Sequence, residues 1–157
     1  MEVRLDQISF EEYIQYSDLA FAGDIDMQTT YGTLESGETP AQRNVKNIRE
    51  FRQLNPNYKC KFYKVVLVAN GEEKPIGMTI TVKIPYSLPL LYSFGINIEY
   101  RTGEILRAWM AELDALLGEK YIVSLFLKNS RAIKFFMKNG FNNTRIDEKT
   151  KGIMMWR

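Results

Sequence analysis

The chain contains no histidine and a single cysteine among its 157 residues. Without histidine, a His-based catalytic triad and a His-ligated zinc centre are both excluded. The lone Cys60 cannot form an internal disulfide, makes a thiolate metal site unexpected, and fits a reducing, cytoplasmic setting. Proton transfer must then rely on carboxylates, tyrosines, lysines, the thiol or water. No apolar run reaches the length of a membrane span, and the opening MEVRLDQ lacks the apolar stretch of a signal peptide, so neither membrane nor leader is expected.

Hydrophobic residues make up 45% and charged residues 25% of the chain, a globular composition at a length suited to one domain, residues 1–157. The net charge is only +2, and no basic-aromatic surface motif accompanies it, which argues against a nucleic-acid partner. The charge is uneven. Residues 1–100 hold ten Lys/Arg against thirteen Asp/Glu, and residues 101–157 hold eleven against six. The C-terminal third favours an anionic partner, and the N-terminal part tolerates a cationic one. Asp24 and Asp26, with Glu35 and Glu38 nearby, crowd one loop-like, Gly-containing segment over 20–38, and acids there would attract a cation.

The elements follow in a readable order. VRLDQI reads as a short strand. Ser9 with Glu12 forms a capping box that opens a helix running to about Leu19. Thr39-Pro40-Ala41-Gln42 opens a second helix, ended by Asn55-Pro56-Asn57. KFYKVVLVAN, a turn made by Asn70-Gly71 with GEEKP, and the alternating run Ile76, Met78, Ile80, Val82, Ile84 predict a hairpin, and LPLLYSFGINI a third strand. A helical stripe then runs from Gly103 to Leu117, followed by the apolar strand YIVSLFL, a helix from Asn129 to Asn139-Gly140, and two last strands in FNNTRI and GIMMWR. The long crossover between the strands near 90 and 127 predicts a parallel pair inside an otherwise antiparallel sheet. The fold class is therefore α/β (α+β): a mixed, mostly antiparallel twisted sheet of about seven strands flanked by four helices.

Two segments bear a family resemblance. In residues 129–141, NSRAIKFFMKNGF, the residues Asn129, Ala132, Ile133, Phe135, Lys138, Gly140 and Phe141 match a pattern of the GNAT superfamily, the acetyl-coenzyme A-dependent N-acetyltransferases. Upstream, Glu99, Tyr100 and Arg101 in IEYRTGEILRAWM resemble the segment that joins the central strand of that family to its cofactor-binding helix. The resemblance implies acetyl-CoA as co-substrate, a small-molecule or peptide amine as acceptor, and transfer of an acetyl group between them. It implies that Ile96 and Ile98 flank the pantetheine arm, that Asn129 bonds to it, that Phe136 belongs to the cofactor site, and that Asp24 and Asp26 border the entrance for a cationic acceptor. The turn Arg101, Thr102, Gly103, Glu104, Ile105 and Leu106 would present backbone N–H groups to the diphosphate. Oligomeric state is left open, a homodimer included.

Two departures stand out. The family turn reads [Gln/Arg]-x-x-Gly-x-[Gly/Ala]. With Arg101 in first place, the small positions hold Glu104 and Leu106; moved back by one, Gly103 fits but Tyr100 leads and Ile105 closes. A carboxylate about 5 Å from a diphosphate costs roughly 3 kcal/mol per charge pair at an effective dielectric near 20, equal to about a hundredfold in affinity. Phe136 stands where the family usually has the Tyr that protonates the leaving thiolate, and on an apolar face with Ala132, Ile133 and Met137 it also reads as core. The catalytic base is not specified: Glu99, Tyr92, Ser93, Asp24 and Asp26 are the candidates by region. Arg131, Lys134 and Lys138 read as a solvated helix face or as partners for the adenosine phosphate. Two functions follow, an acyl-CoA-dependent N-acetyltransferase with a modified phosphate turn, or a catalytically inactive GNAT-fold protein with a structural or binding role, for example in a virion or another assembly.

Overall fold

The computed structural model describes residues 1–24 and 34–157. The order is β1 (Glu2–Ile8), α1 (Phe10–Phe21), α2 (Pro40–Leu54), β2 (Lys59–Ala69), β3 (Glu72–Lys83), β4 (Leu90–Ile96), a 3-10 turn (Ile98–Tyr100), α3 (Gly103–Leu117), β5 (Ile122–Phe126), α4 (Ser130–Lys138), β6 (Asn143–Asp147) and β7 (Gly152–Trp156). The strands form one sheet in the order β1-β2-β3-β4-β5-β7-β6. Every pair is antiparallel except β4 with β5. The expected mixed sheet of seven strands is present, with four helices among the described residues.

Local chemistry starts and stops these elements. At α1 the Ser9 hydroxyl accepts from the Glu12 N–H while the Glu12 carboxylate accepts from the Ser9 N–H, both at 3.2 Å. Thr39 and Gln42 repeat the device at α2, with Pro40 in the first turn. The two-residue loop between β2 and β3 places Asn70 and Gly71 at φ 53° and 75°, the left-handed pair that a tight hairpin needs.

Apolar residues cover both faces of the sheet. Against α3 and α4 lie Leu91, Trp109, Leu113, Val123, Phe136, Phe141 and Met155. Against α1 and α2 lie Tyr13, Phe21, Ile48, Phe62, Met78 and Ile80. The alternation read along β3 breaks at its start. Ile76 belongs to the first cluster, whereas Met78 and Ile80 belong to the second. Val65 pairs with Gly77 and Val66 with Pro75, so Ile76 is an extra residue without a partner on β2, and the bulge turns its side chain to the other face. At the far edge, Arg157 locks β7 to α3 and α4: Nη1 donates to Asp114 Oδ1 at 2.8 Å, Nε donates to the Asn139 carbonyl at 3.0 Å, and the guanidinium lies 4.4 Å from the centre of the Phe141 ring.

The sheet centre has room for backbone and nothing else at Gly77. A Cβ there would lie 2.1 Å from the Gly95 carbonyl oxygen. Gly95 is itself crossed by α1, since a Cβ on it would meet Phe21 Cε1 at 3.0 Å and Ala20 Cβ at 3.1 Å. These contacts set where the end of α1 meets β4. Gly77→Ala is expected to lower stability by about 2–3 kcal/mol through overpacking. For a chain of this size that is a fall in Tm of roughly 5–10 °C, read by calorimetry. A Tm unchanged within a degree would show that the β3–β4 spacing is not constrained at Gly77.

Candidate functional site

The parallel pairing of β4 with β5 is brief: Leu90 opposes Ile122, Leu91 opposes Val123, and no further residues pair. A bulge in β4 begins at that point. On β3, Ile80 opposes Ser93 and Thr81 opposes Leu91, which leaves Tyr92 extra. Two consecutive side chains therefore face α2. Tyr92 packs on Phe51 with ring centres 4.3 Å apart, and the Ser93 hydroxyl donates to Asn44 Oδ1 at 2.9 Å. The next residue, Phe94, returns to the α3 side, 5.2 Å from the Trp109 ring.

Where the strands part, a cavity of about 300 Å³ opens. Phe94, Gly95 and Ile96 of β4 form one wall, Leu106 and Trp109 of α3 another, and Asn129, Arg131, Ala132 and Phe135 a third; Phe21, Asp24 and Arg101 complete it. Trp109 is held in place by an Nε1 donation to Thr79 Oγ1 at 3.2 Å. Asn129 caps α4, its Oδ1 accepting from the Ala132 N–H at 3.3 Å. The lining is mainly apolar, with one carboxylate and two guanidinium groups.

Arg101 reaches back across this space. Its Nε donates to the Ile96 carbonyl at 2.7 Å, and its Nη2 donates to Asp24 Oδ2 at 2.5 Å. Asp24 is brought there by the end of α1. Gly23 adopts φ 73°, and the Asp24 N–H donates to the Phe21 carbonyl at 3.2 Å, which turns the carboxylate inward. A second cavity, of about 330 Å³, lies on the other side of Asp24 between the end of α1 and the start of α2, with Asp18, Thr39, Pro40 and Ala41 in its walls.

The start of α3 departs from an open anion cradle. Thr102 is the N-cap, and its hydroxyl accepts from the Ile105 N–H at 3.3 Å, so one of the first donors of the helix is already engaged. Gly103 leaves space occupied by Arg107, whose Nη1 would lie 3.1 Å from a Cβ there. Glu104 is exposed in the first turn, where a carboxylate favours the helix itself.

Of the residues singled out in the sequence, Ile96, Arg101, Leu106, Asn129 and Asp24 line the first cavity together. Ile98, Thr102, Gly103 and Glu104 do not line it, and Ile105 is buried in the core. Phe136 is fully buried among Phe94, Trp109, Phe135 and Phe141, behind the lining. Glu99 is exposed in the 3-10 turn and meets neither cavity. Tyr92 lies on the α2 side, and burial pushes its pKa up to about 12, so it is protonated at neutral pH and is no base there. Cys60, also part-buried against this cluster, has its thiol pushed up by burial and is no thiolate at neutral pH. Asp26 lies outside the described residues.

Sequence reasoning missed Phe21, Phe94, Trp109 and Asp18. Three of these are aromatics on apolar stripes, indistinguishable from core by spacing. Asp18 carried a signal only in hindsight of the fold, being six residues from Asp24 at the end of the same helix.

No family model matches the sequence, and no curated protein matches it. Solved structures match it in shape. An acetyltransferase from Thermus thermophilus shares 13% identity over 100% of this chain and 97% of its own, with a TM-score of 0.69. A probable GNAT-family acetyltransferase from Chromobacterium violaceum shares 11% over 99% of this chain and 82% of its own, at 0.68. The ribosomal-protein-S5-alanine acetyltransferase of Vibrio fischeri shares 14% over 100% and 93%, at 0.59. With identities of 11–14% the likeness is one of architecture, and this chain has a GNAT-like fold.

Proposed function

We propose that the protein transfers an acyl group from acyl-coenzyme A to the nitrogen of an amine, in the cytoplasm. The observation that supports this most is the cavity between the parted ends of β4 and β5, lined at once by Asn129, Arg101 and the apolar side chains of Phe94, Leu106 and Trp109. An apolar slot with a few polar groups suits an extended acyl-pantetheine arm. Arg101 and Arg131 are cations lining the slot, and Arg107 lies over the start of α3. Guanidinium groups and the remaining N–H groups of that helix start are suited to a diphosphate.

In such a reaction the neutral amine nitrogen attacks the thioester carbon, the C–S bond breaks, and the proton that the nitrogen sheds to water balances the one the thiolate takes up. Phe136 has no hydroxyl to give one. The thiol resembles cysteine, with a pKa near 8.5, so its thiolate leaves adequately without help. General acid catalysis contributes about 10²–10⁴-fold, and this chain is expected to be correspondingly slow.

A second reading is supported by the same region: a GNAT-fold protein that no longer transfers and acts as a binding or structural part of a larger assembly. Thr102 satisfies a donor that a phosphate would otherwise receive, Glu104 sits beside it, and Phe136 is built into the core.

Calorimetric titration with acetyl-CoA separates the two. Binding heat together with a rise in Tm supports the transferase; neither heat nor shift at saturating ligand replaces it with the second reading. Glu104→Gln removes a like charge from the helix start and is expected to tighten acetyl-CoA by up to about tenfold, because an exposed charge is screened below the value for a fixed pair. Phe136→Tyr places a hydroxyl in an apolar cluster. It is expected to cost about 1–3 kcal/mol, with no gain in turnover. Unchanged Tm with faster turnover would instead make that position the acid's place.

A further inference from the structure

The Asp24–Arg101 pair stands in the wall between the two cavities. Asp24 lines both, and Arg101 lines the first. The carboxylate side chain is 2% exposed and the guanidinium 26%. Arg101 holds Oδ2, while Oδ1 is buried with no hydrogen-bond partner among the described residues. A native structure rarely leaves a carboxylate oxygen so placed. The charges on the two sides also differ. Two arginines face the first cavity, whereas the second has Asp18 and Asp24 and neither lysine nor arginine in its described walls.

We propose that Arg101 and Asp24 form an exchangeable pair that couples the cavities: an anionic ligand in the first draws Arg101 away, and the freed Asp24 binds an alkylammonium ion in the second. Arg101 is the half that moves. It is partly exposed, lies just before the cap of α3, and has the planar fork that phosphate oxygens accept in two bonds. Asp24 cannot follow, because the α1 terminus and the turn at Gly23 hold it. A buried carboxylate that loses its partner is strongly unfavourable. A cation arriving from the second cavity removes that penalty, and Oδ1 gives it an acceptor not taken by Arg101. Before the anion binds, the same cation meets a carboxylate already neutralised and a guanidinium that repels it. The anion therefore strengthens the cation, and by linkage the cation strengthens the anion equally. The identification of the anion with acyl-coenzyme A, and of the cation with the acceptor, rests on the transferase reading; the coupling itself does not.

The test uses coenzyme A as the anion, n-butylammonium as the cation and n-butanol as its neutral counterpart. Binding is followed by the ¹H–¹⁵N NMR shifts of the Ala22, Gly23 and Ala41 amides. Saturating coenzyme A is expected to tighten n-butylammonium about tenfold, within the 5–150-fold range of site–site coupling, and to leave n-butanol unaffected. Arg101→Gln is expected to bind n-butylammonium without coenzyme A as tightly as the parent does with it, and Asp24→Asn to lose the coupling. Equal affinities with and without bound coenzyme A in the parent overturn the proposal, as does coupling that persists in Arg101→Gln. If coenzyme A does not bind, the transferase reading falls, and Arg101→Gln alone decides the pair: tighter n-butylammonium sustains it, unchanged affinity overturns it. Arg101→Met takes the place of Arg101→Gln should that variant fail to fold.

Discussion

The site depends on the place where β4 and β5 stop pairing. Two residue pairs hold the strands together, and then Tyr92 adds one residue to β4. That extra residue changes which way β4 presents its side chains, so Tyr92 and Ser93 both face α2 while Phe94 faces Trp109. Backbone groups beyond the break have no neighbouring strand on that side. They must find other partners, and the Ile96 carbonyl finds Arg101 at 2.7 Å. The bulge, the gap and the arginine that spans it are thus linked by a single hydrogen-bonding constraint.

The same constraint organises the charges. Arg101 enters the gap to serve a carbonyl and in doing so meets Asp24, delivered from the opposite side by the end of α1. That helix is seated by contacts with no slack: a Cβ on Gly95 would press on Phe21 and Ala20, and one on Gly77 would strike Gly95. Small residues in β3 and β4 therefore position a carboxylate that lies beyond the end of α1. The start of α3, by contrast, has one of its first donors already engaged by Thr102, so fewer of its N–H groups are open than at an uncapped helix start.

Much of the fold was legible in the sequence because its signals are local. The capping pairs Ser9–Glu12 and Thr39–Gln42 require only residues three apart. Asn70-Gly71 needs only two left-handed residues in a row. The parallel pair followed from chain length, since a fifteen-residue α3 leaves no room for a hairpin. The alternation of β3 misled at Ile76, because a bulge depends on where the partner strand slips, and that is not written in the strand itself. At the site, Asn129, Arg101 and Asp24 were found as residue types near informative motifs. Trp109, Phe94 and Phe21 were hidden, since an aromatic beside a cavity and an aromatic in a core obey the same spacing. Glu99 and Tyr92 were drawn in by proximity along the chain, yet one faces solvent and the other packs, part-buried, on the α2 side.

By itself, then, the sequence determined the order of elements, their boundaries to within a turn, and the exclusion of histidine chemistry, all of which depend on composition or on neighbours a few positions apart. Only the tertiary structure decided which side of β4 each residue serves, that Phe136 belongs to the core, and that Arg101 and Asp24 meet although they stand 77 residues apart in the chain. The reason is physical. Pairing, bulging and burial are set by distant segments that compete for the same backbone groups and the same space, and no local pattern records the outcome of that competition.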